Sequence, residues 1–115
     1  MLPSLETSLG QYEKALRVEG LPFKSICLVD KSLYRFFNFL GQQPEQVAAT
    51  DVLTFIKSQL ACGYKPATVA VDLRHACRYF DWLQLAWPGR GLSPKQIALG
   101  VEPDGLPGKD ERWDD

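Results

Sequence analysis

Apolar residues recur at helical spacing in two stretches of the first half of the chain. In residues 5–19 they are separated by four, three and four positions, and they are Leu5, Leu9, Tyr12 and Leu16. This spacing places them on one face of an α-helix, which Gly20 is suited to end. In the second stretch Ser25 is a suitable N-cap, Gly41 a suitable end, and the apolar positions between them are Ile26, Val29, Leu33, Phe36, Phe37 and Leu40.

Two further helices are predicted downstream. Thr50 is a suitable N-cap for a third helix that ends at Gly63, with apolar positions Val52, Phe55, Ile56 and Leu60. Pro66 fits the first turn of a fourth helix, which the sequence Trp87-Pro88-Gly89 is expected to end. The apolar face predicted for this fourth helix consists of Val69, Leu73, Ala76, Cys77, Phe80 and Leu83.

Beyond residue 88 glycine and proline recur, and only "SPKQIAL" is compatible with a turn or two of helix. Neither a strand-like alternation nor an internal repeat is evident. The sequence therefore predicts an all-α fold, a compact bundle of four helices. Residues 1–88 are expected to form the helical domain, and residues 89–115 an irregular, linker-like and partly disordered acidic tail.

The composition agrees with a single folded domain. The chain has 115 residues, of which 45% are apolar and 23% charged, as in ordinary soluble globular proteins. No apolar run approaches the ~20 residues of a membrane-spanning helix, so a cytoplasmic location without membrane contact is expected. In such a compartment the three cysteines, Cys27, Cys62 and Cys77, are expected to be reduced and largely buried.

The overall charge does not indicate nucleic-acid binding by itself. Thirteen Lys and Arg stand against fourteen Asp and Glu, for a net charge of −1, whereas a basic balance is the usual sign of a nucleic-acid partner. Five of the acids follow residue 103, and residues 1–103 hold eleven Lys and Arg against nine Asp and Glu. The folded part is therefore mildly basic at most.

The sequence contains no set of residues typical of catalysis. His75 is the only histidine, and Cys77, two positions later, points to the opposite side of a helix, so the two cannot share one metal ion. There is no glycine-rich phosphate loop and no pair of carboxylates in an apolar motif. We therefore expect no catalytic residue, no bound metal, no cofactor and no small-molecule substrate.

Two segments resemble a known family. The segment "GLPFKSICLVDKSLYRFFNFLG" and its continuation "ATDVLTFIKSQLACGYKPATVAVDLRHACRYFDWL" are similar to the N-terminal core-binding domain of tyrosine recombinases, the phage-integrase family. The resemblance covers roughly residues 5–84, and "SPKQIALGVEPDGLP" is similar to the linker that usually follows. It implies a SAM-like bundle whose second and fourth helices lie toward duplex DNA.

The resemblance also implies that this chain is not an enzyme. The family's catalytic domain, with its tyrosine nucleophile, begins about where these 115 residues stop. None of Tyr12, Tyr34, Tyr64 and Tyr79 therefore takes that role.

The candidate DNA contacts follow from the same resemblance. Ser25 and Thr68 occupy hydroxyl positions near the starts of the second and fourth helices, where a phosphate can be bound. The remaining candidates are basic side chains around these two helices, namely Lys24, Lys31, Arg35, Lys65, Arg74, His75 and Arg78. In this chain Val71, Asp72 and Cys77 stand where many family members have cations, and Asp72 is expected to repel DNA. Double-stranded DNA is thus the expected partner, with weak binding by the isolated domain.

Each of these residues also has a purely structural interpretation. Ser25 and Thr68 could serve as helix caps, and the cations could form an ordinary solvated face. Leu28, Val71 and Trp82 lie off the main apolar faces, where they either pack against the first helix or the tail, or form a protein-facing patch. The alternative function is accordingly a protein-interaction module, or a truncated integrase that associates with recombinase protomers.

Overall fold

Five α-helices and one short 3₁₀ helix follow one another in residues 5–100, the part of the chain that the computed structural model describes. The α-helices are α1 (Leu5–Val18), α2 (Phe23–Leu40), α3 (Ala49–Ala61), α4 (Pro66–Trp82) and α5 (Pro94–Ala98), and the 3₁₀ helix is Pro44–Gln46. Residues 5–100 contain no strand. The predicted all-α bundle is therefore confirmed.

The core forms where the apolar faces of α1 to α4 meet. Its buried members include most of the predicted apolar positions, and α2 and α4 pack against each other more extensively than any other pair. Phe36 lies at the centre, with its ring centroid 5.0 Å from that of Phe55 and 5.1 Å from that of Phe37. The sequence did not predict Tyr79 as a core residue, yet its ring is fully buried and its hydroxyl donates to Ser8 Oγ in α1. This bond satisfies the only polar group of the ring.

The predicted ends of α1 and α3 are confirmed. Gly20 and Gly63 follow these helices with φ angles of 95° and 98°, a left-handed conformation that glycine adopts without steric cost. In each case the N–H of the residue after the glycine donates a hydrogen bond to a carbonyl in the last turn of the helix. Leu21 donates to the Leu16 carbonyl and Tyr64 to the Gln59 carbonyl, both at 3.1 Å. These bonds satisfy carbonyl groups that the helix end leaves unpaired.

Helix α4 ends five residues earlier than predicted. Gln84 adopts a φ of 63°, and the Leu85 N–H donates to the Phe80 carbonyl at 2.9 Å. This is the same capping geometry as at Gly20, with a glutamine in the position where glycine is usual. Because α4 ends early, the chain turns back and Trp87 packs against the core. The sequence predicted only that Trp87 would end the helix.

Two predicted N-caps are wrong. Helix α2 begins at Phe23 because Pro22 supplies the extended conformation before it and accepts the Ile26 N–H at 3.1 Å, so Ser25 lies within the first turn. Helix α3 begins at Ala49, and the Asp51 carboxylate accepts the Ala48 N–H at 2.9 Å. The Asp51 carboxylate thus caps the start of α3, and Thr50 lies within the helix.

The chain continues to pack on the bundle after residue 88. The Trp87 ring lies 5.2 Å from the Phe80 ring, and Leu92 and Ile97 also pack against the core. Gly89 is buried beside this indole, where an added Cβ would lie 2.6 Å from Trp87 Cζ2. Residues 89–100 are thus part of the packed structure rather than a free linker, and residues 101–115 of the predicted tail lie outside the described residues.

The three cysteines are free thiols, but the prediction that they are largely buried is wrong for Cys62. This residue is exposed because it caps the C-terminal end of α3, while Cys27 and Cys77 are half-buried. None of the helices in residues 5–100 combines the length and the apolar character needed to cross a membrane.

Candidate functional site

A shallow groove runs between α2 and α4, and we call it the α2–α4 groove. Its volume is about 260 Å³, and it is lined from α2 by Leu28, Lys31, Ser32 and Arg35 and from α4 by Thr68, Val71, Asp72 and His75. The two helices that form it are those that carry most of the predicted DNA contacts. The groove is therefore the candidate binding site.

Asp72 forms the floor of this groove. Its side chain is 4% exposed, and its two carboxylate oxygens accept hydrogen bonds from Ser32 Oγ at 2.8 Å and from Arg35 Nη1 at 3.0 Å. The sequence placed Asp72 on the outer face as a source of repulsion toward DNA. That expectation is wrong, because the carboxylate is buried and a guanidinium neutralises it.

The positions of Asp72 and Ser32 explain why both are buried. Asp72 lies three residues after Val69 and four before Ala76, and these two are core residues of α4. Ser32 has the same relation to Val29 and Phe36 in α2. Since residues three and four apart share a helix face, each polar residue lies at the edge of an apolar face, where the two helices meet. This spacing is the signal in the sequence that could have identified the pair.

Arg35 is held from two sides. Besides the ion pair with Asp72, its guanidinium lies over the Tyr64 ring, with Cζ 5.4 Å from the ring centroid, in the connection between α3 and α4. Its side chain remains 34% exposed. A guanidinium has five N–H donors in a rigid plane, and the ion pair uses one of them. Arg35 thus presents further donors at the groove in a defined orientation.

The structure brings four of the nine predicted contacts together, namely Lys31, Arg35, Thr68 and His75. Lys31 is exposed at the rim, and Thr68 is exposed in the first turn of α4, with its N–H donating to the Lys65 carbonyl at 3.0 Å. Neither Thr68 nor Ser25 caps a helix with its side chain. The interpretation of these two hydroxyls as helix caps is therefore wrong.

The other five predicted contacts lie outside the groove. Lys24 and Ser25 belong to the first turn of α2, and Lys65 precedes the first turn of α4. Arg74 is exposed on α4, and Arg78 lines a neighbouring pocket of about 340 Å³ between α1, α2 and α4. The predicted contacts are therefore spread along two helices rather than clustered at one point.

His75 lines both the groove and this neighbouring pocket. Burial lowers the pKa of its imidazole below the ordinary value of 6.5, and the Arg78 and Arg74 charges lower it further, while Asp72 opposes the change. The imidazole is consequently neutral at neutral pH. His75 can donate or accept a hydrogen bond there, but it adds no positive charge.

The three apolar residues outside the predicted core faces divide into two groups. Trp82 packs on the first helix, with its ring centroid 5.2 Å from that of Tyr12, and stacks on Tyr79 at 6.1 Å. Leu28 on α2 and Val71 on α4 instead both line the groove, where they are 61% and 39% exposed. The groove therefore combines an apolar pair with cations.

Within residues 5–100 no group of three or more His, Cys, Asp and Glu side chains is placed to hold a metal ion. Comparison with protein-family models, with curated proteins and with solved structures finds no match to this chain.

Proposed function

We propose that this chain is a non-catalytic DNA-binding module, similar in role to the core-binding domain of a tyrosine recombinase. The α2–α4 groove and the cations beside it contact the phosphates of duplex DNA. One observation carries the proposal: Arg35 is fixed by Asp72 and Tyr64 at the groove, next to Lys31 and Thr68. An oriented guanidinium, an ammonium and a hydroxyl are the donors that commonly bind phosphate oxygens.

The charges around the groove support the same proposal. The cations of α2, of α4 and of the residue before it are Lys24, Lys31, Arg35, Lys65, Arg74 and Arg78, against the acids Asp30, Asp72 and Asp81. Asp72 and Arg35 offset each other's charge, and the remaining five cations against two acids leave these helices basic. The number of phosphate contacts is nevertheless small, so the isolated domain binds DNA weakly.

A salt titration of duplex binding tests the proposal. The fluorescence anisotropy of a labelled duplex of mixed sequence is suitable because phosphate contacts do not depend on sequence. With three to four phosphate contacts, we expect log K to fall with log salt with a slope of about −3. Replacing Lys31 by Ala should reduce the slope by about 1.

Lys14→Ala is the matched control, since Lys14 is also an exposed lysine but lies on α1, outside the groove. It should leave both the affinity and the slope nearly unchanged. The absence of binding at about 50 mM salt, where phosphate contacts are strong, would contradict the proposal. Equal losses in the two lysine variants would also contradict it, because they would indicate a nonspecific charge effect.

A second function, a protein-interaction module that associates with recombinase protomers, is favoured by the exposure of Leu28 and Val71 in the groove. An apolar centre with a polar rim is typical of protein interfaces. Sedimentation velocity of the chain with and without a tyrosine recombinase distinguishes the two functions. Complex formation in the absence of DNA, abolished by Leu28→Glu, would support the second.

A further inference from the structure

A second concave site lies beside the α2–α4 groove. It is the pocket of about 340 Å³ between α1, α2 and α4, and we call it the α1–α4 pocket. Its floor is apolar, because Tyr12 and Leu16 of α1 and Val29 of α2 are buried there and Leu21 is half-buried beside them. This volume is at the lower end of the range for ligand sites, so the pocket fits one small molecule.

Trp82 forms an aromatic wall beside this floor. Its ring centroid lies 5.2 Å from that of Tyr12, with 52° between the two ring planes, and it stacks on Tyr79 at 6.1 Å. Although Trp82 is 37% exposed, both of these neighbouring rings are buried, and their contacts fix its position. Wall and floor therefore meet at a preformed corner that suits a planar apolar group, above all an aromatic ring.

The rim of the pocket carries charges of both signs. Glu19, which follows the last residue of α1, is exposed at the pocket, as are Arg78 and Asp81 of α4. Within residues 5–100 no ion pair joins Arg78 to either acid, so the guanidinium donors and the carboxylate oxygens are available to a ligand. His75 also lines the pocket, but its imidazole is neutral at neutral pH and adds no charge.

These three charges determine which polar group the rim favours. A ligand with only a carboxylate would be repelled by Glu19 and Asp81, and a ligand with only an ammonium group would be repelled by Arg78. A zwitterion, with an ammonium group next to a carboxylate, finds a partner for each charge. Free α-amino acids have this combination, and the aromatic corner favours those with an aromatic side chain.

We infer that the α1–α4 pocket binds a free aromatic α-amino acid. Its ring lies against Tyr12 and Trp82, its carboxylate faces Arg78, and its ammonium group faces the acids of the rim. Because the charged side chains are exposed, each contributes little, and burial of the ring supplies most of the affinity. For so small a ligand we expect a dissociation constant on the order of 1 mM.

NMR titration of the 115-residue chain with L-phenylalanine tests the inference. The N–H resonances of Leu21 and Trp82, which line the pocket, should shift and saturate. Two derivatives serve as ligand controls that require no substitution in the protein. N-Acetyl-L-phenylalanine lacks the ammonium group and L-phenylalanine amide lacks the carboxylate, so each should bind about two- to fivefold more weakly than L-phenylalanine.

A substitution at the rim identifies the partner of the carboxylate. Arg78→Gln should weaken the binding of L-phenylalanine about two- to fivefold. It should not weaken the binding of L-phenylalanine amide, which has no carboxylate and is repelled by the Arg78 charge. The matched control is Arg74→Gln, since Arg74 is an exposed arginine of the same helix that does not line the pocket.

Three outcomes would overturn the inference. The first is the absence of saturable shifts up to about 10 mM L-phenylalanine, ten times the expected dissociation constant. The second is equal affinity for the three ligands, which would mean that the rim charges select nothing. The third is an equal loss in Arg78→Gln and Arg74→Gln. The titration contains no DNA, so its failure leaves the proposed function intact, and failure of duplex binding leaves the inference intact.

Discussion

Replacing Asp72 by Ala removes the acceptor that joins α2 to α4. The substitution leaves the Ser32 hydroxyl without its partner and separates the Arg35 guanidinium from its counter-charge. Breaking a buried ion pair typically costs about 3–5 kcal/mol. Because the Arg35 side chain is 34% exposed and can be rehydrated, we expect a loss in the free energy of unfolding of about 2–3 kcal/mol.

The measurement is urea unfolding followed by circular dichroism at a helical wavelength. For a domain of this size the expected loss corresponds to a decrease in Tm of about 10–20 °C. The matched control is Asp81→Ala, since Asp81 is an exposed acid on the same helix, and it should change the stability by less than about 0.5 kcal/mol. A double-mutant cycle with Arg35→Ala should give a coupling energy of about 1–2 kcal/mol.

Two results would refute the reasoning. If Asp72→Ala and Asp81→Ala had equal effects, Asp72 would be an ordinary surface acid, as the sequence alone suggested. If the effects of Asp72→Ala and Arg35→Ala were simply additive, the two side chains would not act as a pair in the folded protein.

Three further predictions concern stability and pH. Gln84→Gly should stabilise the protein by about 0.5–1 kcal/mol in the urea assay, because glycine relieves the left-handed conformation at φ 63° that ends α4. Tyr79→Phe should destabilise it by about 1–2 kcal/mol, because the buried Ser8 loses its partner. The pKa of His75 is lowered in the folded state, so its contribution to stability is present above the ordinary value and is lost as the pH falls below it. Acidification from about pH 7.5 to pH 5.5 should therefore destabilise the unsubstituted chain more than His75→Gln, and NMR titration of the only histidine should give a midpoint below 6.5.

The helices could be predicted because their signals are local. The apolar face of α2, from Ile26 to Phe37, follows from spacing alone, and Gly20 and Gly63 mark helix ends by a conformation that few other residues adopt readily. The end of α4 could not be predicted in this way. Gln84 has no intrinsic preference for the left-handed conformation, and it is held there because Leu85 and the residues after it pack on the core.

The arrangement of the candidate site depends on contacts between distant residues. Asp72 lies 37 positions from Arg35 and 40 from Ser32, and a sequence read one helix at a time treats each of the three as a separate surface residue. The spacing of their neighbours in the sequence shows that Asp72 and Ser32 each lie at the edge of an apolar face. It does not show that the two residues meet. Only the packing of α2 against α4 establishes that the acid and the arginine neutralise each other.

This pairing changes what the groove can bind. Counting charges along the sequence treats Asp72 as a repulsive acid and Arg35 as a free cation, whereas in the fold each cancels most of the other's charge. Lys31 then remains as a cation of the groove beside the exposed Leu28, whereas Arg74 lies outside the groove. Because the groove itself then offers few cations to phosphates, we expect the isolated chain to bind duplex DNA weakly.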